Sequence, residues 1–271
     1  MLTRGMYAAA KGMLGYIEQN DVIANNIANV NTTGFKKGSL LFKNIYNAAV
    51  EQVDRTQNPK FRESAPVGEI SMGSSVQQLV HEFSQGSLIH TEAPLDLAIQ
   101  GDGFFKLQSQ TGETYYTRNG AFVINNRNQL VNEDGDMVLD VDNRPITINL
   151  NDFQMRSIKD INITEAGQIE INHENNKITL QTIPLYDFQD KENMQWLGKA
   201  KFIPADPENN REMRAEKFVL KQGAIETSNT SLVNEMIGMI NVTRGYETLS
   251  KFLKEESTLL SKAIQVGRVS G

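Results

Sequence analysis

The residues suited to chemistry are scattered along the chain, and their spacing decides what they could do. His81, His90 and His173 stand far apart, with no HExxH and no close pair. The arrangement that lets two imidazoles share a zinc ion is therefore missing, and all three are read as surface or hydrogen-bonded strand histidines. Gly101-Asp102-Gly103 starts like a dinucleotide fingerprint, but the third glycine would fall at Lys106, which leaves a tight turn between two strands. Glu133-Asp134-Gly135-Asp136, with Asp140 and Asp142, has the composition of a calcium loop. Val138 stands where a third ligand is needed, so the run reads as a solvated turn. Among 33 acidic residues, chance carboxylate pairs are expected, and Asp96, inside the alternating Leu95-Asp96-Leu97, reads as a structural carboxylate bonding backbone N–H groups. GxSxG and GxxxxGK[ST] are absent. The expectation is a non-enzyme with no cofactor and no metal. Met6, Met13, Met236 and Met239 are read as adaptable packing residues, and Trp196 as packing at the edge of the β domain.

Composition narrows the classes further. The chain has 271 residues, no cysteine and a net charge of -6, room for one large or two modest domains. Disulfide scaffolds and thiol chemistry are excluded. The acidic balance argues against nucleic acid, because phosphate affinity comes from clustered Lys and Arg. Membrane insertion is not expected either, since no apolar run approaches ~20 residues. Near the start, Lys11 interrupts the apolar stretch after Arg4 and Ala8-Ala9-Ala10, so a cleaved signal peptide is not expected. Taken alone, these features suggest a cytoplasmic protein, with export through an uncleaved N-terminus left open.

The elements that must position these residues fall into three regions. Residues 1–50 carry five basic and two acidic side chains, and residues 226–271 carry five of each. The middle holds the remaining 17 basic and 26 acidic, so the acidity is central. From Thr3 to Asn31 apolar residues recur at helical spacing (Met6, Ala10, Met13, Ile17, Ala24, Ile27). Gly34 stands where a left-handed C-terminal cap would fall, with Phe35 as its apolar contact. Tyr7, Leu14, Tyr16, Val22, Ile23, Ala28 and Val30 cover other faces of that helix, so it must be buried on several sides. Asn20, Asn25, Asn26, Asn29 and Asn31 make it marginal in isolation.

A second helix is expected over Leu232–Val266, after possible caps in Ser228-Asn229-Thr230-Ser231. Its heptad seam would run Leu232, Met239, Tyr246, Leu253, Leu260 and Met236, Thr243, Ser250, Ser257, Ile264. Between the helices the period becomes two: Leu95/Leu97/Ile99, Ile146/Ile148/Leu150, Ile161/Ile163, Ile169/Ile171 and Ile178/Leu180. The fold class expected is α+β, with N- and C-terminal helices paired as an α-helical coiled coil around a central antiparallel all-β domain. The expected divisions are a helical domain of 1–37 plus 228–271, a connecting region 38–75 and a β-rich domain 76–227. Apolar surface left over on the first helix points to other copies of the same molecule.

Three segments carry a resemblance. Ala24-Asn25-Asn26-Ile27-Ala28-Asn29-Val30-Asn31-Thr32-Thr33-Gly34-Phe35-Lys36 resembles the signature ANNxANxxTxGFK of bacterial flagellar rod proteins. Gln85-Gly86 through Thr91, Pro94–Ile99 and Gly101–Phe105 is similar to the central motif of the flagellar axial family, and Gln222-Gly223 through Ser228-Asn229 to Met236, Arg244 and Tyr246-Glu247 to its C-terminal motif. The resemblance implies a structural subunit of the basal-body rod, of the distal type, which self-assembles head-to-tail into a helical tube and transmits torque. Within the family, a proximal rod or hook subunit is the alternative. Outside it, the rivals are a secreted carbohydrate-active enzyme and a monomeric binding module or cap.

The partners implied are other copies of the chain, neighbouring rod and hook proteins, the flagellar type III export apparatus, and ring or bushing proteins. The implied location is the basal body across periplasm or cell wall, reached without a cleaved signal, which replaces the cytoplasmic expectation. The residues expected to carry assembly are Asn25, Asn26, Asn29, Gly34 and Phe35 at one end, and Met236, Met239, Ile240, Tyr246, Leu253 and Leu260 at the other. The asparagines would bond across subunits in a crowded tube.

Overall fold

A computed structural model describes residues 2–44, 47–51, 66–71, 74–149, 161–173 and 176–269. The chain is α+β: an N-terminal helix α1 (Leu2–Ala28), a run of short strands, and a C-terminal helix α2 (Leu232–Val269). It divides into two compact units, one of residues 1–25, 38–79 and 233–271, the other of residues 26–37 and 80–232.

In the first unit, α1 and α2 meet antiparallel through glycines. A side-chain carbon placed on Gly12 would lie 2.9 Å from Leu249, one on Gly245 2.5 Å from the Tyr16 ring, and one on Gly238 3.4 Å from Ile23. Each helix thus offers gaps that the other's side chains fill. The three glycines of α1 cost roughly 1 kcal/mol each in helix propensity; Gly5 and Gly12 let α2 come close, through Phe252 and Leu249, while Gly15 makes room for Phe42 of the strand Gly38–Asn44. This contact differs from the expected seam. On the part of α1 that belongs to this unit, the buried positions among the described residues are Ala9, Gly15 and Ile23, while Ile17 is 45% exposed. On α2, Glu235 and Val242 are buried, Met239, Leu249, Leu253, Glu256 and Leu260 half-buried, and Met236, Thr243, Ser250, Ser257 and Ile264 all exposed. The small residues, not the large apolar ones, select the facing side, because burial there depends on how near the backbones come. Two ribbons lie in residues 38–81, Gly38–Asn44 with Ser74–His81, whose last two residues belong to the second unit, and Asn47–Glu51 with Pro66–Ser71, so the stretch read as connecting contains paired strands.

The expected end of the first helix also shifts. α1 stops at Ala28, and the chain continues in turns closed by Val30 N–H to Ile27 O and Thr32 N–H to Asn29 O. Asparagine competes with the helix for its own backbone bonds, which accounts for the earlier stop. Gly34 is left-handed, φ 68°, but its N–H donates to Glu226 O instead of a helix carbonyl. Its conformation serves the second unit.

That unit is built from antiparallel strands. In its nine-stranded sheet, Phe104–Gln108 lies between Thr114–Thr117 and Met137–Val138, and Thr114–Thr117 leads through Lys201–Pro204 to the edge strand Met194–Gly198. Phe218–Gln222 pairs with Leu97–Gly101, Ala224–Glu226 with Leu88–His90, and Ile161–Ile163, Gln168–His173 and Asn176–Thr182 form a three-stranded sheet. The period-two runs fill the core: Leu97, Ile99, Phe105, Leu107, Ile146, Ile148 and Ile169 are fully buried. At about 1.5–3 kcal/mol per large apolar side chain, this burial stabilises a unit without disulfides. Ile146 and Ile148 alternate inward without a continuous ladder, their N–H groups donating to Val138 O and Asn128 O. Leu150 lies outside the described residues. A second, aromatic cluster joins Phe104, Tyr116, Tyr186, Phe188 and Phe202, with Phe83 and Trp196 packed on it.

Candidate functional site

The three motif segments converge on one carboxylate. Glu226 sits on the strand Ala224–Glu226, whose first and last residues face inward. Its Oε1 accepts from Lys36 Nζ at 2.7 Å and from Gly86 N–H at 2.9 Å, while its Oε2 lies 3.5 Å from Arg118 Nη1. Its backbone oxygen takes the Gly34 N–H at 2.8 Å. The signature turn, the Gln85-Gly86 segment, the Tyr116–Gly120 run and the start of the C-terminal motif are therefore tied together by one residue.

The surroundings are dry. Lys36 and Glu226 are wholly buried and Arg118 is 2% exposed. Burial pushes the Lys36 ammonium below its ordinary range, against the opposing pull of Glu226. Two cations face one carboxylate at contact distance, and Asp102 and Asp187 add attraction for Arg118 from further away. The Arg118 guanidinium lies over the Phe104 ring, 5.2 Å from its centre. Lys36 Nζ also donates to Ser84 O at 2.7 Å, and Asn229 Oδ1 accepts from Lys37 N–H at 2.7 Å while its amide donates to Glu82 O. Such a network contributes little net energy but punishes the loss of any one member, because the partner is left charged in a low-dielectric interior.

Shape adds to charge. A Cβ on Gly34 would lie 2.4 Å from the backbone nitrogen of Asn119, so only glycine lets the turn approach the Arg118–Asn119 backbone. Phe35 is fully buried and meets Trp196 edge-on at 6.4 Å between ring centres. Trp196, on the edge strand Met194–Gly198, packs also against His81 at 5.7 Å.

Of the residues expected to carry assembly, Gly34 and Phe35 are spent inside the chain's own β unit, and Asn26 is 2% exposed. Asn25 and Asn29 are half-buried, and Asn29 accepts from the Thr32 hydroxyl at 3.1 Å. The second group divides. Met236, Ile240 and Tyr246 are 52%, 50% and 36% exposed, while Met239, Leu253 and Leu260 are half-buried. The structure brings the first group to the signature turn and leaves the second along α2. Arg118 and Glu226 carry no site reading in the sequence, Lys36 is present only as the last residue of the signature, His81 is read there as a surface or hydrogen-bonded strand histidine, and Trp196 as a packing residue. An inward-facing glutamate on a short strand, three residues after Gly223, was the available signal.

The other chemistry-bearing residues have structural employment. Gly101 and Gly103, with φ 104° and 120°, turn the chain between two strands. Asp134 and Asp136 hold Lys201, and Asp134 also pairs with Lys199. Asp140 accepts from the N–H groups of Asp142 and Arg144. Asp96 takes the Thr91 hydroxyl at 2.6 Å, a side-chain partner where backbone N–H groups were expected. Among the described residues, no helix is long and apolar enough to cross a membrane.

A β unit that encloses the signature turn, together with helices that display apolar side chains, defines a structural subunit of the assembling kind. Comparison with known proteins gives the family. The model described as flagella basal body rod protein matches residues 6–36, the flagellar hook protein FlgE/F/G D1 domain residues 98–171, and the flagellar basal body rod FlgEFG protein C-terminal domain residues 221–266. The chain is 31% identical over 283 residues to the flagellar basal-body rod protein FlgG of Borreliella burgdorferi, covering 98% of this chain and 100% of that one. It is 30% identical over 275 residues to FlgG of Bacillus subtilis, with the same coverage. FlgF of Mesorhizobium japonicum is 26% identical over 96% of each chain. The chain belongs to the flagellar basal-body rod protein family and is a structural subunit of the flagellar rod.

Proposed function

We propose that the chain is a distal rod subunit. It polymerises head-to-tail, through contacts that do not close on themselves, into a tubular axis that carries torque from motor to hook, and it performs no catalysis. The helices α1 and α2 form the assembling part as an α-helical coiled coil, and the unit of residues 26–37 and 80–232 is the β-rich body. The chain reaches the basal body, across periplasm or cell wall, through the flagellar type III apparatus without a cleaved signal, and meets neighbouring rod and hook proteins and surrounding ring or bushing proteins. Asn25 and Asn26, with Met239, Leu253 and Leu260, set the helices, and Asn29 the turn after α1; Met236, Ile240 and Tyr246 face the next copy.

The observation that carries this reading is the apolar surface left on both helices. Tyr7, Leu14 and Ile17 on α1 and Val233, Met236, Ile237 and Ile240 on α2 are 45–65% exposed. So much exposed aliphatic surface on two adjacent turns of α2 marks a contact surface. The family supports copies of the chain as its occupant, and the end-to-end match to proteins named FlgG supports the distal position.

The test is the pair Met236→Asp with Ile240→Asp in a motile host, beside Leu253→Asp. The double variant should abolish rods in isolated basal bodies while circular dichroism and Trp196 fluorescence of the purified chain stay unchanged. Leu253→Asp should abolish rods and also lower α-helix content. Normal motility in the double variant would remove this face from the interface, and imaging the tagged subunit at the proximal end of the rod would overturn the distal assignment.

A further inference from the structure

His81 ends the strand Ser74–His81 and is 7% exposed. Its Nδ1 lies 3.0 Å from Lys36 O. A carbonyl oxygen only accepts, so Nδ1 carries the hydrogen and the neutral ring presents a bare lone pair at Nε2. That nitrogen is buried and has no hydrogen-bond partner. The ring is enclosed by Trp196 at 5.7 Å and Phe202 at 5.4 Å. A neutral imidazole fits this place; a charged one would bury an N–H⁺ with nothing to receive it.

The charged groups around the ring offer no relief. From the signature turn come Lys36 and Lys37, and from the strand Thr114–Thr117 and its continuation comes Arg118. Glu226, on Ala224–Glu226, is held by Lys36, Gly86 N–H and Arg118. The hairpin that supplies Trp196 and Phe202 also carries Lys199 and Lys201, both engaged by Asp134 and Lys201 by Asp136 as well. Glu82, next to His81 in the chain, receives the Ser84 hydroxyl. These groups are engaged with one another, so a proton on His81 would be a buried positive charge with no carboxylate to receive it.

We propose that His81 is an acid-sensitive latch on the signature turn: neutral, it clasps the Lys36 carbonyl and holds residues 34–37 against the β unit; protonated, it releases them. Burial depresses the affinity of the ring for a proton, with the Lys36 bond opposing. The sign follows. The released state takes up a proton at the ordinary histidine pKa, so attachment of the turn is full above about pH 6.5 and weakens as pH falls below it. The inference stands on the geometry of the seat and does not depend on the position of the subunit in the rod.

The experiment uses the full-length chain at pH 7.5 and pH 5.5. Amide hydrogen exchange at Gly34, Lys37 and Glu82, corrected for the intrinsic effect of pH, should quicken severalfold at pH 5.5. The ceiling is about tenfold, set by a released histidine of pKa ~6.5. His81→Asn keeps an N–H donor in place of Nδ1 and does not titrate, so the change should vanish. In parallel, an NMR titration should give His81 a midpoint below the ordinary histidine value of about 6.5. If His81→Asn does not fold, that titration together with the wild-type exchange decides the matter. A His81 midpoint at or above about 6.5, unchanged exchange between the two pH values, or the same pH response in His81→Asn would each overturn the latch.

Discussion

The Glu226→Gln substitution bears most directly on the seat of the signature turn. Glutamine keeps one oxygen for Lys36 Nζ and Gly86 N–H but removes the charge that compensates Lys36 and Arg118, both almost completely buried. Removing one partner of a buried ion pair costs about 3–5 kcal/mol, and the retained acceptor places this change at the lower end, about 3 kcal/mol. For a β unit of this size, 1 kcal/mol moves Tm by about 2–4 °C, so the expected fall is about 6–12 °C. The readout is built in: the single tryptophan, Trp196, packs on Phe35 and His81, so its fluorescence in urea follows this unit. Adding Lys36→Met should restore part of the loss, because one unpaired charge is then gone, and the coupling in the double-mutant cycle should exceed about 1 kcal/mol. A Glu226→Gln protein within about 0.5 kcal/mol of wild type, or a double variant whose loss equals the sum of the singles, would refute the ionic account.

Two further outcomes follow from the same unit. Gly34→Ala should destabilise it by about 2 kcal/mol or more, since a left-handed alanine costs about 1–2 kcal/mol and its Cβ would lie 2.4 Å from Asn119 N; an unchanged urea midpoint would contradict this. Burial works against the charged form of Asp136, yet the bonds from Lys201 and Tyr115 hold its carboxyl below the usual range. Its contribution is therefore present above the unfolded value of about 3.9 and lost as pH falls below it. Lys201→Met should flatten the loss of stability below pH ~4 when urea midpoints are followed from pH 5 to pH 3, and an unaltered acid slope would exclude the Lys201 contribution.

The β core was legible because a half-buried strand announces itself by alternation: Leu97, Ile99, Ile169 and Ile171 were named from period alone and are all fully buried. The helices were legible in extent but not in facing. Periodicity weighted the large side chains, whereas α1 and α2 meet through Gly12, Gly238 and Gly245, residues that carry no hydrophobic signal. The signature turn was found as a motif, and its Gly34 was assigned to a helix cap because a local rule fitted; the deciding contact, with Glu226, lies 192 residues away. Charge patterns along the chain do not reveal buried partners at that separation. The pairing of Lys36 and Arg118 with Glu226 therefore leaves no mark in the local sequence.

The antiparallel contact of α1 and α2 has a mechanical consequence. Tyr16 and Ile23 stand seven residues apart and enter gaps at Gly245 and Gly238, also seven apart. Small axial displacements would drive a ring or a methyl group into backbone, but a slip of one full interval, about 10.5 Å at 1.5 Å per residue, would carry Tyr16 from Gly245 to Gly238. Under load the pair would behave as a detent, rigid up to a threshold and then stepping, with no gradual creep between.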